Sequence, residues 1–136
     1  MIRPVMHDPL FLAQKAAPAT ESDSQIITDL IDTLRANRER CVGMAANMIG
    51  EKKAIIAVCD GPLLLVMVNP KILSQIGEYE AEEGCLSLAG TRKAKRYRTI
   101  TVAYQDRLFR PRTNTFHGFV AQIIQHELDH CSGILI

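Results

Sequence analysis

The stretch FVAQIIQHELDH, Phe119–His130, decides how the rest of the chain must be arranged. Phe119, Val120, Ile123, Ile124 and Leu128 recur at helical spacing and form a broad apolar face, and Gly133 is placed to stop the helix. A helix this apolar near the C-terminus is a buried one, yet it also carries H-E-x-x-H. His126 and His130 lie four apart, so they project from one face a turn apart and both imidazoles can reach a single ion. Glu127 sits beside them, free to stay off the metal and to take a proton from water. Two packed histidines beside a solvated glutamate would spell the same pattern, so the rest of the chain has to supply what a metal centre lacks.

A catalytic centre of this type needs three protein ligands and one open position. Six residues follow His130, and Asp129 is turned about 100° off the histidine face, so the third donor is expected upstream. Cys85 in EEGCLSL is the strongest candidate: sulfur is a soft donor, Gly84 lets the backbone approach closely, and an ion would stabilise the thiolate. His7 and His117 are isolated in less helpful contexts.

The remaining sequence supplies a wrapping for the helix. Met1 to about Thr20 contains Pro4, Pro9 and Pro18 and reads as an extended arm. A helix follows, with Ser22 and Gln25 as a capping box and Ile26, Ile27, Leu30, Ile31 and Leu34 on its core face. KAIIAVC and LLLVMVN flank Asp60-Gly61 and read as a hairpin. EYEAEEGCLSLAG is acidic and lacks periodicity; RKAKRYRTITVAYQD passes from a basic stretch into a strand, and RLFRPRT adds an edge strand around Pro111. Strands in the middle and helices toward both ends predict an α+β domain spanning residues 1–136, its antiparallel sheet packed around the C-terminal H-E-x-x-H helix.

Composition narrows the partners. Sixteen basic against fifteen acidic residues leave a net charge of +1, which calls for neither nucleic acid nor an anionic membrane and points to a small molecule or peptide. No apolar run approaches the roughly 20 residues that span a bilayer, and MIRPVMHDPL lacks the apolar stretch of a signal peptide, so a cytoplasmic chain is expected. In that compartment Cys41, Cys59 and Cys131 read as small, reduced, buried side chains.

Three ordered motifs resemble those of the peptide deformylase family. EGCLS, from Glu83 to Ser87, and QHELDH look like its second and third motifs, and CVGMAANMIG is similar to the first, G-x-G-x-A-A-x-Q-x-G, with Cys41 at the first Gly and Met48 at the Gln. The Asn69-Pro70 pair after the hairpin and Arg96-Tyr97 before the Tyr-containing strand also fit, so the resemblance covers nearly the whole chain. It implies a hydrolase that removes the formyl group from the N-terminal formyl-methionine of newly synthesised proteins, with nascent chains at the ribosome as substrate. It implies a Cys85, His126, His130 site usually filled by Fe²⁺, with Zn²⁺, Ni²⁺ or Co²⁺ able to substitute, and a metal-activated water as nucleophile.

In that scheme Glu127 is general base and then general acid, and the family's oxyanion donors fall on the backbone N–H of Leu86 and on position 48. Met48 has no donor to offer, although the neighbouring Asn47 carries an amide that could turn inward. Phe119, Gln122 and Ile123 share the face of His126 and are expected to line the pocket for the methionine side chain, as the matching positions do in the family, with Val42 and Gly43 opposite. Glu83 and Arg92 are expected to form an ion pair beside the metal loop. The competing expectation, raised by Met48, is a degenerate metal-binding paralogue. An unrelated zincin is disfavoured by the missing downstream ligand.

Overall fold

The computed structural model describes residues 1–136. The N-terminal arm holds one short helix, α1 (Pro9–Leu12), capped by the Asp8 side chain. Then come α2 (Ser24–Ala36), five strands and the long C-terminal helix α3 (Gly118–Cys131). The strands are β1 (Gly43–Ala45), β2 (Ile55–Asp60), β3 (Leu63–Gly84), β4 (Thr91–Gln105) and β5 (Pro111–His117), joined in one antiparallel sheet of order β1-β2-β3-β4-β5. No helix is long and apolar enough to cross a membrane.

Strand β2 is buried on both faces. In β2, Ile55 and Ala57 pack with α2 residues Ile27, Leu30 and Leu34, whereas Ile56 and Val58 pack with Ala121, Ile123 and Ile124 of α3. Two-sided burial explains why this strand reads as a continuous apolar run rather than an alternation. The β2–β3 hairpin turns at Gly61, whose φ of 57° is the left-handed conformation such a turn demands. β5 is an edge strand that starts at Pro111, where a missing N–H costs the ladder least.

One local expectation is corrected. The capping box preceding α2 is formed by Thr20 and Asp23, with the Thr20 N–H donating to Asp23 Oδ2 at 2.9 Å, rather than by Ser22 and Gln25. A 3₁₀ turn over Glu21–Asp23 moves the helix start along the chain, and Gln25 bonds Asp29 instead. The acidic, aperiodic stretch after Asn69-Pro70, to which the sequence assigned no element, is strand as far as Gly84. β3 runs through it to Gly84, absorbing the Pro in register shifts between Val68 and Ser74, with Asn69 at φ 51°. Most of this distal part of β3 is exposed, so it carries no apolar period; cross-strand charges mark it instead, as in Lys95 Nζ to Glu78 Oε1 at 3.3 Å.

The Gln125 side chain helps tie α3 to the sheet. β5 pairs with β4 only from Thr99 onward, which leaves the backbone of Tyr97 without a strand partner on that side. Gln125 takes its place: Tyr97 N–H donates to Gln125 Oε1 and Gln125 Nε2 donates to Tyr97 O, both at 2.8 Å. This contact sets the position of the residue that follows it, His126.

Candidate active site

The three expected ligands converge. Cys85 leaves β3 just past Gly84, and its Sγ lies 3.3 Å from His130 Nε2, which is 3.1 Å from His126 Nε2. The three donor atoms are all within 4.8 Å of one another, although Cys85 is 45 residues from His130 in the chain. A tetrahedral ion with bonds of about 2.0–2.3 Å holds its ligand atoms about 3.3–3.8 Å apart, so an ion fits this cluster with little adjustment. One thiolate and two imidazoles are a donor set suited to first-row divalent metals.

The two histidines are supported unequally. His126 Nδ1 bonds Glu83 Oε1 at 2.9 Å, which fixes its ring with Nε2 toward the cluster. His130 is fully buried and its Nδ1 has no partner. Burial disfavours charge on both rings. In His126 the hydrogen bonds to Cys85 and Glu83 outweigh it and carry the imidazole up to about 10, whereas burial, with His126 close by, holds His130 down at about 3.

Glu83 is the hub behind the cluster. Its partner is Arg96, not Arg92: Arg96 Nη2 and Nε meet the carboxylate at 2.7 and 3.0 Å, and Arg96 Nη1 reaches Asp129 at 2.7 Å. Arg92 is opposite Glu83 in the ladder, yet its guanidinium bonds Ala89 O at 3.4 Å. Burial rather than register chose the partner, since Arg96 is 4 % exposed beneath α3. Burial alone would raise the Glu83 carboxyl, but the hydrogen bonds from His126 and Arg96 prevail and hold it at about 2.

Glu127 faces a cavity of about 740 Å³. It is 3 % exposed, its Oε1 has no partner, and burial pushes its carboxyl up to about 7, near the range in which a proton can be taken and returned. Val42, Gly43, Phe119, Gln122 and Ile123 all line the same cavity, as do Leu86 and Met48. The Leu86 N–H finds no acceptor within the chain. Asn47 does not replace the missing amide of position 48: its Nδ2 donates to His130 O at 3.0 Å and so braces the end of α3.

Some contributors were not visible beforehand. His7 lines the cavity, with Nδ1 2.9 Å from Ser87 O; only the return of the N-terminal arm across the metal loop puts it there. Cys41 is half-buried on the cavity wall, its thiol pushed up to about 12 by burial. The family model for polypeptide deformylase matches residues 2–136. The chain belongs to that family. The polypeptide deformylase relatives include a peptide deformylase of Clostridium beijerinckii, 57% identical over 136 residues with 100% of both chains covered. Another, from Thermoanaerobacter pseudethanolicus, is 37% identical across 91% of this chain and 79% of its own. Among solved deformylase structures, that of Legionella pneumophila superposes with a TM-score of 0.88 at 36% identity, covering 99% of this chain and 83% of that one. A class I type b enzyme from Acinetobacter baumannii with Met-Ala-Ser bound gives 0.89 at 30%, covering 99% and 97%.

Proposed function

We propose that the chain hydrolyses the N-formyl group of formyl-methionyl peptides, releasing formate and a free α-amine, on nascent chains in the cytoplasm. The observation that carries this is the unpartnered carboxylate oxygen of buried Glu127, on the wall of a peptide-sized cavity that ends at the Cys85, His126, His130 cluster. The cluster would hold Fe²⁺, with Zn²⁺, Ni²⁺ or Co²⁺ able to substitute. A bound ion supplies Lewis-acid polarisation of the formyl oxygen and makes a nearby water more acidic.

The chain's own groups do the rest. Glu127 takes the proton of the attacking water and later delivers it to the leaving nitrogen, a double role that its raised carboxyl suits. The Leu86 N–H, having no internal acceptor, donates to the oxygen that gains charge. Ile123, Phe119 and Val42 shape the apolar wall against a methionine side chain, and the edge strand β1, beginning at Gly43, offers its free side to an extended peptide backbone. The Met-Ala-Ser seen in the Acinetobacter baumannii enzyme is a peptide of the corresponding kind.

The test is formate release from formyl-Met-Ala-Ser by protein loaded anaerobically with Fe²⁺, beside the Glu127→Ala variant. Turnover in the native sequence and none in the variant is expected. Equal background release from both would refute the assignment.

A further inference from the structure

Gln122 is a polar residue beside the apolar Phe119 and Ile123 on the cavity wall, and both ends of its amide are committed. Its Nε2 donates to Glu83 Oε2 at 3.0 Å, and its Oε1 accepts from the Tyr79 hydroxyl at 3.1 Å. Glu83 in turn contacts His126 Nδ1 through its other oxygen, Oε1, at 2.9 Å. A continuous chain thus runs from Tyr79 on the distal part of β3, through the cavity wall, to the ring of a metal ligand. We infer that Gln122 and Tyr79 are positioning residues that fix the rotation of the Glu83 carboxylate and, through it, the orientation of the His126 imidazole toward the ion.

The polarity of the chain is dictated by charge. Glu83 is ion-paired to Arg96 and can only accept, so the end of Gln122 that faces it must be the NH₂. That leaves Oε1 pointing away, and Tyr79 must then donate. Tyr79 is itself held in place, because the Arg98 guanidinium carbon stacks 4.7 Å from its ring centroid.

The need for such a brace follows from the crowding at Glu83. Arg96 Nε lies 3.2 Å from Oε1 and 3.0 Å from Oε2, and Nη2 lies 2.7 Å from Oε1, so the guanidinium crowds the oxygen that His126 also uses. Apart from Arg96, Oε2 is held by Gln122 alone. Loss of that donor frees the carboxylate to turn its second oxygen toward Arg96 and away from the His126 contact. Partners of ligating histidines are typically worth about 10–100-fold in metal affinity. Gln122 acts one bond further out, and its loss is expected at the lower end of that range.

The experiment compares native protein with Gln122→Met, which keeps the side chain's length, with Tyr79→Phe, which removes only the hydroxyl, and with the double variant. Co²⁺ affinity is read by competition with a chromophoric chelator, and kcat and KM are read separately on formyl-Met-Ala-Ser. Gln122→Met is expected to weaken Co²⁺ binding about tenfold and to lower kcat more than it raises KM. Tyr79→Phe shifts both in the same direction by less, and adds nothing once Gln122 is Met. Co²⁺ affinity unchanged in Gln122→Met, with the effect confined to KM, would overturn the inference and leave Gln122 a wall of the cavity. Additive effects of the two changes would overturn it as well. Should Gln122→Met fail to fold, unchanged Co²⁺ affinity in Tyr79→Phe decides against the relay. The kcat comparison rests on the deformylase assignment, whereas the Co²⁺ comparison does not: absence of formate from the native protein refutes the activity without touching the relay.

Discussion

Replacing Gly43 by alanine tests whether Glu127 is held where catalysis needs it. A Cβ built at Gly43 lies 2.5 Å from Ile123 Cγ2, 2.8 Å from Glu127 Oε2 and 3.2 Å from Glu127 Cγ. Ordinary contacts between such atoms are about 3.5–4.0 Å, so the neighbours must retreat by roughly 1 Å. Neither side can do so easily. β1 is paired to β2 through Gly43 and Val58, and α3 is pinned by the Gln125 bonds to Tyr97 and by the His126 contact with Glu83. Overpacking of this kind costs about 1–3 kcal/mol, and at this chain length each kcal/mol lowers Tm by about 3–5 °C. A misplacement of about 1 Å in a catalytic group can cost about 10²-fold in rate. The Gly43→Ala protein should therefore show a lower Tm by differential scanning calorimetry and a kcat for formate release down about 10²-fold. Its Co²⁺ affinity should stay within a few fold of native, because the atoms nearest the added Cβ belong to Ile123 and Glu127 and not to Cys85, His126 or His130. A kcat within twofold of native would refute both the assigned role of Glu127 and the geometry on which it rests.

Further outcomes follow from the same site. Met48→Gln restores an amide on the cavity wall and is expected to raise kcat by up to about 10²-fold while lowering Tm, since a buried amide costs about 1–3 kcal/mol until substrate supplies a partner; steady-state kinetics and calorimetry read the two effects. Arg96→Ala strands the Glu83 carboxylate and should destabilise by about 3–5 kcal/mol in urea unfolding, whereas Arg92→Ala should fall within about 0.5 kcal/mol of native. At the β4–β5 turn, the backbone N–H of Arg110 and of Leu108, with the Arg112 side chain, hold the Asp106 carboxyl down at about 2. A carboxyl depressed in the folded state adds stability above its ordinary value of 3.8 and loses it as pH falls toward about 2, so the gap between native and Asp106→Ala should be full at pH 6 and close below pH 3.

What local periodicity and spacing can encode was legible in the sequence. The apolar spacing around the i, i+4 histidines announced a core helix with both imidazoles on one face, the Asp60-Gly61 turn announced the β2–β3 hairpin, and the search upstream for a third donor pointed to Cys85, which does lie within reach of both rings. These are short-range patterns, and the cavity residues Phe119, Gln122 and Ile123 were placed by the same helical arithmetic. The course of β3 beyond Asn69-Pro70 was not legible, because a mostly exposed ribbon has no apolar period to betray it.

The choice among chemically equivalent partners was left to the tertiary structure. Two arginines in one strand could pair with Glu83, and only the packing of α3, with Asp129 beneath it, buried Arg96 and left Arg92 at the ribbon's end. Asn47 could have turned toward the cavity, but the carbonyl of His130 needed its amide. His7 joined the site because the arm folds back over the loop that carries Cys85, and Gln122 met Glu83 and Tyr79 because α3 packs against the distal part of β3, 39 residues back in the chain from Gln122 to Glu83. The residues that do the chemistry are specified by type and spacing, which any chain can write locally. Which neighbours hold them depends on burial, and burial exists only once segments separated by tens of residues have packed.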